Sequence, residues 1–222
     1  MVFTHDGTLM GVEVDLAVEL GHDLDRPVLF AQLAWEQLIP ALTQGRIDVI
    51  MSGMSITTYR KQHIRFTDPY MQIGQMAVIR VEDVGRLGRP EALYGTTGGV
   101  GFKRRTTGEL FARASLKSAT LRSFPEVDDG LLALRAGEID FFVHDAPTVW
   151  RITADPSEHE LIGLHWPLTQ EHLAWGTRNA DTAFRQRLNA LIAEWKRSGR
   201  LQTILNRWIT LRVQVEQEQA SP

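Results

Sequence analysis

The chain has 222 residues, 43% of them hydrophobic and 23% charged, and a formal net charge of -3 with its 7 histidines neutral. That balance excludes collagen-like, coiled-coil and disordered classes, and the scattered Lys and Arg argue against a nucleic-acid partner. The absence of cysteine excludes disulfides, thiolate metal sites and a Cys nucleophile, and the length suits one large domain or two lobes of about 100 residues each.

In chain order, residues 11–20 read as a helix and residues 27–32 as a strand. Residues 35–43 form a second helix with Leu38, Ile39 and Leu42 as its apolar stripe, and 48–51 a buried strand. Residues 72–81 read as one long strand, the kind that leaves one lobe and enters another. Then follow strand 100–103, helix 106–114, strand 120–122, helix 126–136 and strand 139–143. Helices 182–197 and 200–208 close the chain, and the polar tail after Arg212 is expected to fray. Short strands alternating with helices of about ten residues predict parallel sheets with crossover helices. No apolar run approaches the ~20 residues a transmembrane helix needs. Met1-Val2-Phe3-Thr4-His5-Asp6 has neither the basic region nor the apolar core of a signal peptide.

An internal echo organises this list. Residues 41–48 read ALTQGRID and residues 133–140 read ALRAGEID. Each copy ends an amphipathic helix with Gly and launches an apolar strand, which predicts two α/β lobes on one plan. If two such sheets face each other, ligands bind where the carboxyl ends of their strands open into the crevice. That singles out Ser52-Gly53-Met54-Ser55 on one side and His144-Asp145 on the other.

Arg60 follows Ser55 by about one and a half helical turns. A guanidinium fork with hydroxyl and backbone donors suits a carboxylate; a Ser/Thr-capped helix with a solvated Arg is the favoured reading from residue types alone. Thr106-Thr107-Gly108 precedes a helix whose N-terminus offers donors to an anion, with plain N-capping as the alternative. The similar Thr96-Thr97-Gly98 reads as a loop. Asp145 ends a strongly apolar strand, placed to pair with a ligand ammonium or to cap its own helix. Arg60 and Asp145 together would suit a zwitterion. Trp35, beside the same crevice, would floor an apolar pocket or belong to the core. His144 and Asp145, adjacent on a strand, are expected to face opposite sides. The chain has no G-x-S-x-G, H-E-x-x-H, Walker A or G-x-G-x-x-G motif, and its histidines lack metal-ligand spacing.

These stretches resemble the bacterial solute-binding proteins of polar amino-acid uptake systems. The residues that carry the resemblance are Asp6-Gly7 with Leu9-Met10-Gly11-Val12-Glu13-Val14-Asp15-Leu16, and WEQLIPALTQGRIDVIMSGMSITTYRKQHIRFTDPY at 35–70. GFKRRTTGELF at 101–111, ALRAGEIDFFVHDAP at 133–147 and LNALIAEWKRSGRLQTILNRW at 188–208 extend it over nearly the whole chain. The resemblance implies a type II periplasmic-binding fold, two Rossmann-like α/β lobes with a ligand cleft between them. It places a ligand carboxylate against Arg60, with Ser55 and the Thr107 backbone. The ammonium falls on Asp145 with Ser52 or Gly53 backbone, and Trp35 packs on the ligand. Spacing within the family selects Thr106 rather than Thr96 as the start of the paired hydroxyls. It further implies an amino-acid ligand, a membrane permease of the ABC type as partner, a monomer, a periplasmic or extracellular location, and neither cofactor nor metal.

With one copy of the echo in each lobe, the crossings are expected near 78–81 and 164–168. Lobe one is then 1–79 plus 168–222, and lobe two 80–167. Relatives begin with a strand before the D-G-x-L-x-G turn, whereas this chain starts almost at that turn, so the first strand is expected to be missing. Two other functions remain open beside transport. One is a ligand-sensing domain of a larger receptor; the other is an enzyme resembling the cyclohexadienyl dehydratases, which carry an acid shortly after the second lobe's strand. Here Asp145 is followed by Ala146-Pro147-Thr148-Val149-Trp150, with no further acid until Asp155.

Overall fold

The computed structural model of the chain describes residues 1–5 and 7–209. The expected fraying of the tail after Arg212 lies outside those residues. Strands β1 (Phe3–His5) and β2 (Thr8–Met10) form an antiparallel hairpin that leads into helix α1 (Val12–Leu24). Along α1, Val12, Leu16 and Leu20 recur at helical spacing and are buried. A short 3-10 turn over Trp35–Gln37 precedes α2 (Leu38–Thr43); α3 (Thr58–His63), β3 (Arg65–Phe66), β4 (Met71–Ile73) and β5 (Gln75–Arg80) follow. Next come α4 (Val84–Leu87), α5 (Pro90–Tyr94), β6 (Gly99–Lys103), α6 (Thr107–Ser115), β7 (Thr120–Phe124), α7 (Val127–Arg135) and β8 (Phe141–Asp145). The chain continues through α8 (Ala146–Thr153), β9 (Leu161–Gly163), β10 (Glu171–Leu173), β11 (Gly176–Thr177), α9 (Thr182–Ser198) and α10 (Arg200–Trp208).

One five-stranded sheet, in the order β7-β6-β8-β5-β9, dominates the second half. Helices α6 and α7 make the two crossovers that keep β6, β7 and β8 parallel. β5 runs antiparallel to both β8 and β9, so the sheet is mixed rather than wholly parallel as expected. Met76 and Val78 of β5 pack into one apolar cluster with Phe142, Leu131 and Val149; Ala77 and Ile79 pack into the opposite one with Phe141, Val143 and Phe111. The strand period of two thus feeds cores on both faces, which is why these strands read as apolar runs.

The other region is assembled from β1, β2, α1 to α3 and the closing helices α9 and α10, with the short pairs β4–β10 and β3–β11. Trp175 and Trp195, both fully buried, meet edge to face at 5.9 Å between Leu16, Leu188 and Ile192. Neither strand expected at 27–32 nor that at 48–51 forms. Leu29 is 91% exposed, and 48–51 contributes a single bridge, Ile50 with Gly176. A strand is a set of shared backbone hydrogen bonds, and no described segment pairs with 27–32. The expected long strand at 72–81 is broken at Gly74, where a Cβ would lie 2.3 Å from the Thr169 carbonyl oxygen. Gly74 is therefore the passage from β4, which pairs with β10, to β5, where Val78 pairs with Phe142 and Gly163. On the return, the N–H groups of Leu164 and Leu168 still donate to Ala77 and Gln75 of β5, each at 2.8 Å, before β10 rejoins β4.

Candidate functional site

A cleft of about 530 Å³ separates the two regions. Trp35, Ser52, Gly53, Ser55 and Arg60 line it from one side, and Thr106, Thr107 and Asp145 from the other. The structure thus brings these eight candidate residues to one place, while Met54 of the same stretch is buried in a core with Leu38, Ile50 and Ile64. His144 lines the cleft as well, contrary to the expected alternation. β8 ends at Asp145, and the His144 ring turns back so that its Nδ1 accepts the Asp145 backbone N–H at 2.8 Å. Burial pushes the His144 pKa below its ordinary value, against the opposing pull of Asp145, which favours a neutral ring.

Arg60 is the charged floor of the first side. The Thr57 hydroxyl accepts the Arg60 backbone N–H at 3.2 Å and so caps α3, which fixes where the side chain leaves the helix. Arg60 is only 6% exposed. Its Nη1 donates to the Ser55 carbonyl at 2.7 Å, and its guanidinium carbon lies 5.1 Å from the centre of the Trp35 ring. The Trp35 indole N–H donates to the Arg105 carbonyl at 2.9 Å, tying this side of the cleft to the other. Burial lowers the Arg60 pKa, while the Asp145 and Glu171 carboxylates raise it; a guanidinium stays charged through such shifts.

On the opposite side, Thr106 precedes α6 but does not cap it with its side chain. Its hydroxyl donates backwards to the Lys103 carbonyl at 2.7 Å. Asp145 does not cap α8 either: its Oδ1 accepts from the Gln75 side-chain amide at 2.5 Å. The capping alternatives for both residues are therefore not adopted.

Two of the other groups are already engaged. The Ser55 hydroxyl donates its one hydrogen to Glu171 at 2.6 Å, and the Gly53 N–H donates to Glu13 at 2.6 Å. What Ser55 Oγ and Gly53 still offer the cleft are acceptor oxygens. Glu13, Gln75 and Glu171 were not visible as site residues in the sequence. Glu13 sits in the first turn of α1, just after the D-G-x-L-x-G turn, and is 1% exposed. Its carboxylate accepts from Gly53, from the Tyr70 hydroxyl at 2.6 Å and from the Trp175 indole at 3.1 Å. Burial raises its pKa, and those three donors oppose the rise. Its one sequence signal was a carboxylate beside the apolar stripe of α1.

Among the described residues, no group of three His, Asp or Glu side chains is placed to hold a metal ion, and no helix is long and apolar enough to cross a membrane. What the cleft offers is a buried guanidinium on one wall and a carboxylate on the other, with hydroxyl and aromatic groups between them. That chemistry recognises a small molecule carrying both charges.

The architecture is a type II periplasmic-binding fold. The chain is similar to the crystal structure of an ancestral amino acid-binding protein described as a precursor of cyclohexadienyl dehydratase, with a TM-score of 0.84 and 28% identity over 93% of this chain and 88% of that one. An ancestral arginine-binding protein bound to arginine superposes equally well, with a TM-score of 0.84 and 25% identity over 94% of this chain and 92% of the other. In sequence, the chain is 24% identical to the ABC transporter glutamine-binding protein GlnH of Bacillus subtilis, over 91% of its own length and 74% of the relative's. The model of the bacterial extracellular solute-binding proteins, family 3, matches residues 1–211. A match running through both regions and the cleft between them covers more than a shared scaffold, and the chain belongs to that family.

Proposed function

We propose that the cleft binds a free amino acid, Arg60 taking its α-carboxylate and Asp145 its α-ammonium, and that the chain delivers this ligand to an ABC-type membrane permease. The observation that carries the reading is the pairing of a buried guanidinium with a carboxylate on opposite walls of one cleft. An α-amino acid, with its ammonium and carboxylate both attached to one carbon, spans such walls, and neutralising Arg60 offsets the cost of its burial. The named relatives support the class of ligand, being glutamine- and arginine-binding proteins. Thr106 and Thr107 serve the carboxylate from the second wall, Ser52 and Gly53 supply carbonyl oxygens to the ammonium, and Trp35 packs against the ligand. The chain acts as a monomer in the periplasm or outside the cell, and it binds rather than converts its ligand. Two units, one on either side of the Gly74 passage, close on the ligand.

Calorimetry of the chain with each of the twenty amino acids tests the reading. A saturable response from at least one is expected, and Arg60→Lys should weaken it about a hundred-fold because an ammonium cannot reproduce the fork. Unchanged affinity in that variant overturns the carboxylate assignment. Formation of an aromatic acid from prephenate or arogenate would overturn the assignment as a binding protein.

A further inference from the structure

Gln75 is the first residue of β5, directly after the passage at Gly74, and its side chain is completely buried. Its Nε2 lies 2.5 Å from Asp145 Oδ1, 3.0 Å from Thr107 Oγ1 and 3.1 Å from Glu171 Oε1. Turning the amide over would set its oxygen against two carboxylates, so the nitrogen faces them. Its Oε1 is left buried with no hydrogen-bond partner. A methionine would fill nearly the same space without that orphaned oxygen, so what the glutamine adds is its two donor hydrogens, one of them shared between two of the three acceptors.

Glu171 stands on the other strand that passes between the regions. Its Oε1 also accepts from the Thr169 hydroxyl at 2.7 Å, and its Oε2 accepts from Ser55 at 2.6 Å. The two side chains therefore join Asp145 and Thr107 on one wall to Ser55 on the other, and the link runs through both connecting segments.

We propose that Gln75 and Glu171 are a positioning pair that sets the donor and acceptor directions of the ligand-binding groups on both walls. By donating to Asp145 Oδ1, Gln75 leaves Oδ2 free for an ammonium. By donating to the Thr107 oxygen, it turns that hydroxyl's single hydrogen outward, toward a carboxylate. Glu171 draws the Ser55 hydrogen away from the cleft and adds a second negative charge to the surroundings of Arg60. The proposal rests on the amino-acid reading of the cleft.

Its test uses the full chain, with arginine, lysine, histidine and glutamine as calorimetric probes. Gln75→Met should lower the affinity for whichever probe binds by about ten- to a hundred-fold, the worth of charge-assisted hydrogen bonds. The unliganded melting temperature should fall as well, because Asp145 and Glu171 lose a donor, partly offset by removal of the orphaned oxygen. A packing role alone predicts a lower melting temperature at unchanged affinity, and that result overturns the proposal. In the unliganded protein, the Gln75 side-chain amide protons should exchange slowly in ¹⁵N-resolved spectra, and faster in Glu171→Leu. Free-glutamine exchange in the unsubstituted chain overturns the network itself. Failure of all four probes with a protected amide counts against the amino-acid reading and the ligand role, while leaving the pairing of Gln75 with Glu171 supported.

Discussion

The two copies of the A-L-x-x-G-x-I-D echo fold alike for one turn and then diverge. Gly45 and Gly137 each adopt φ of +72°. Their N–H groups reach back to Leu42 and Leu134, at 3.0 and 3.1 Å, and the next N–H groups, of Arg46 and Glu138, reach Ala41 and Ala133, both at 2.9 Å. This is the same left-handed helix end twice. Beyond it, the second copy enters the sheet as β8 between β6 and β5, while the first finds only the bridge from Ile50 to Gly176. The turn is written in local sequence; the strand depends on what stands beside it. One region is accordingly held by a shared backbone ladder, the other by packed helices, tryptophans and the buried hydrogen bonds of Glu13.

The largest effect should come from breaking the ladder in one copy and its counterpart in the other. Val143 lies within β8, paired with Ala77 on one side and Phe102 on the other. Val49 precedes the isolated bridge at Ile50. Val143→Pro should cost about 3 kcal/mol or more beyond Val143→Ala, because a central strand loses a ladder hydrogen bond and must accommodate the ring. Val49→Pro should cost only about 1 kcal/mol beyond Val49→Ala, because the two bonds of the bridge belong to Ile50 and Gly176 and proline mainly restricts the backbone of Asp48. Denaturant midpoints of the four variants decide the matter. Equal proline penalties would mean that residues 48–51 are laddered after all.

The same contrast explains what could be read from the sequence. The long closing helices were legible almost to their ends, because periodicity and Gly punctuation are local: Gly199, which ends α9, has φ of +77°. The short helices α4 and α5 were not, having too few turns to show a period. Residues 27–32 and 48–51 have β-prone composition, but the first has no described neighbour to ladder with and the second only the bridge to Gly176, so composition alone misled. The break at Gly74 depends on the approach of Thr169, 95 positions away, which no window of sequence contains. The site residues divide likewise. Arg60, Asp145 and the Thr106-Thr107 pair stand at element ends that the sequence marks. Glu13, Gln75 and Glu171 act through partners such as Gly53, Asp145 and Ser55, brought near by the fold.

A smaller effect sharpens the description of the helical region. Glu13 accepts three hydrogen bonds and donates none, so Glu13→Gln places an amide hydrogen against the Tyr70 hydroxyl, the Gly53 N–H or the Trp175 indole. One unmatched buried donor costs about 1–3 kcal/mol. The pH profile should change as well. The Glu13 pKa is raised in the folded chain, so between the ordinary carboxyl value and the raised one the folded state holds a proton that the unfolded state has lost. Its contribution to stability is full below the ordinary value and declines as pH rises through the raised one. Subtracting the Glu13→Gln profile from that of the unsubstituted chain removes the opposite slope of His144, whose lowered pKa costs stability as pH falls below the ordinary imidazole range. A difference that does not decline with rising pH would show that burial does not hold the proton on Glu13.

The smallest effect tests whether the echo is one structural unit used twice. Gly45 and Gly137 share the same positive φ, and a Cβ at either would meet nothing within 4 Å. Replacing either by Ala therefore carries no steric clash with neighbours, only the cost of holding an L-residue in the left-handed region, about 1 kcal/mol. The two penalties should agree within about 0.5 kcal/mol, and the double variant should show their sum, since additivity holds for separated sites. Asn, which tolerates that conformation better, should recover part of the loss at both positions. The surroundings differ as much as the molecule allows, one turn leading into a five-stranded sheet and the other into a single bridge. If the Gly137 penalty exceeded the Gly45 penalty by more than about 1 kcal/mol, the turn's geometry would be imposed by the sheet beyond it, and the likeness of the two copies would be a consequence of tertiary structure rather than of the shared sequence.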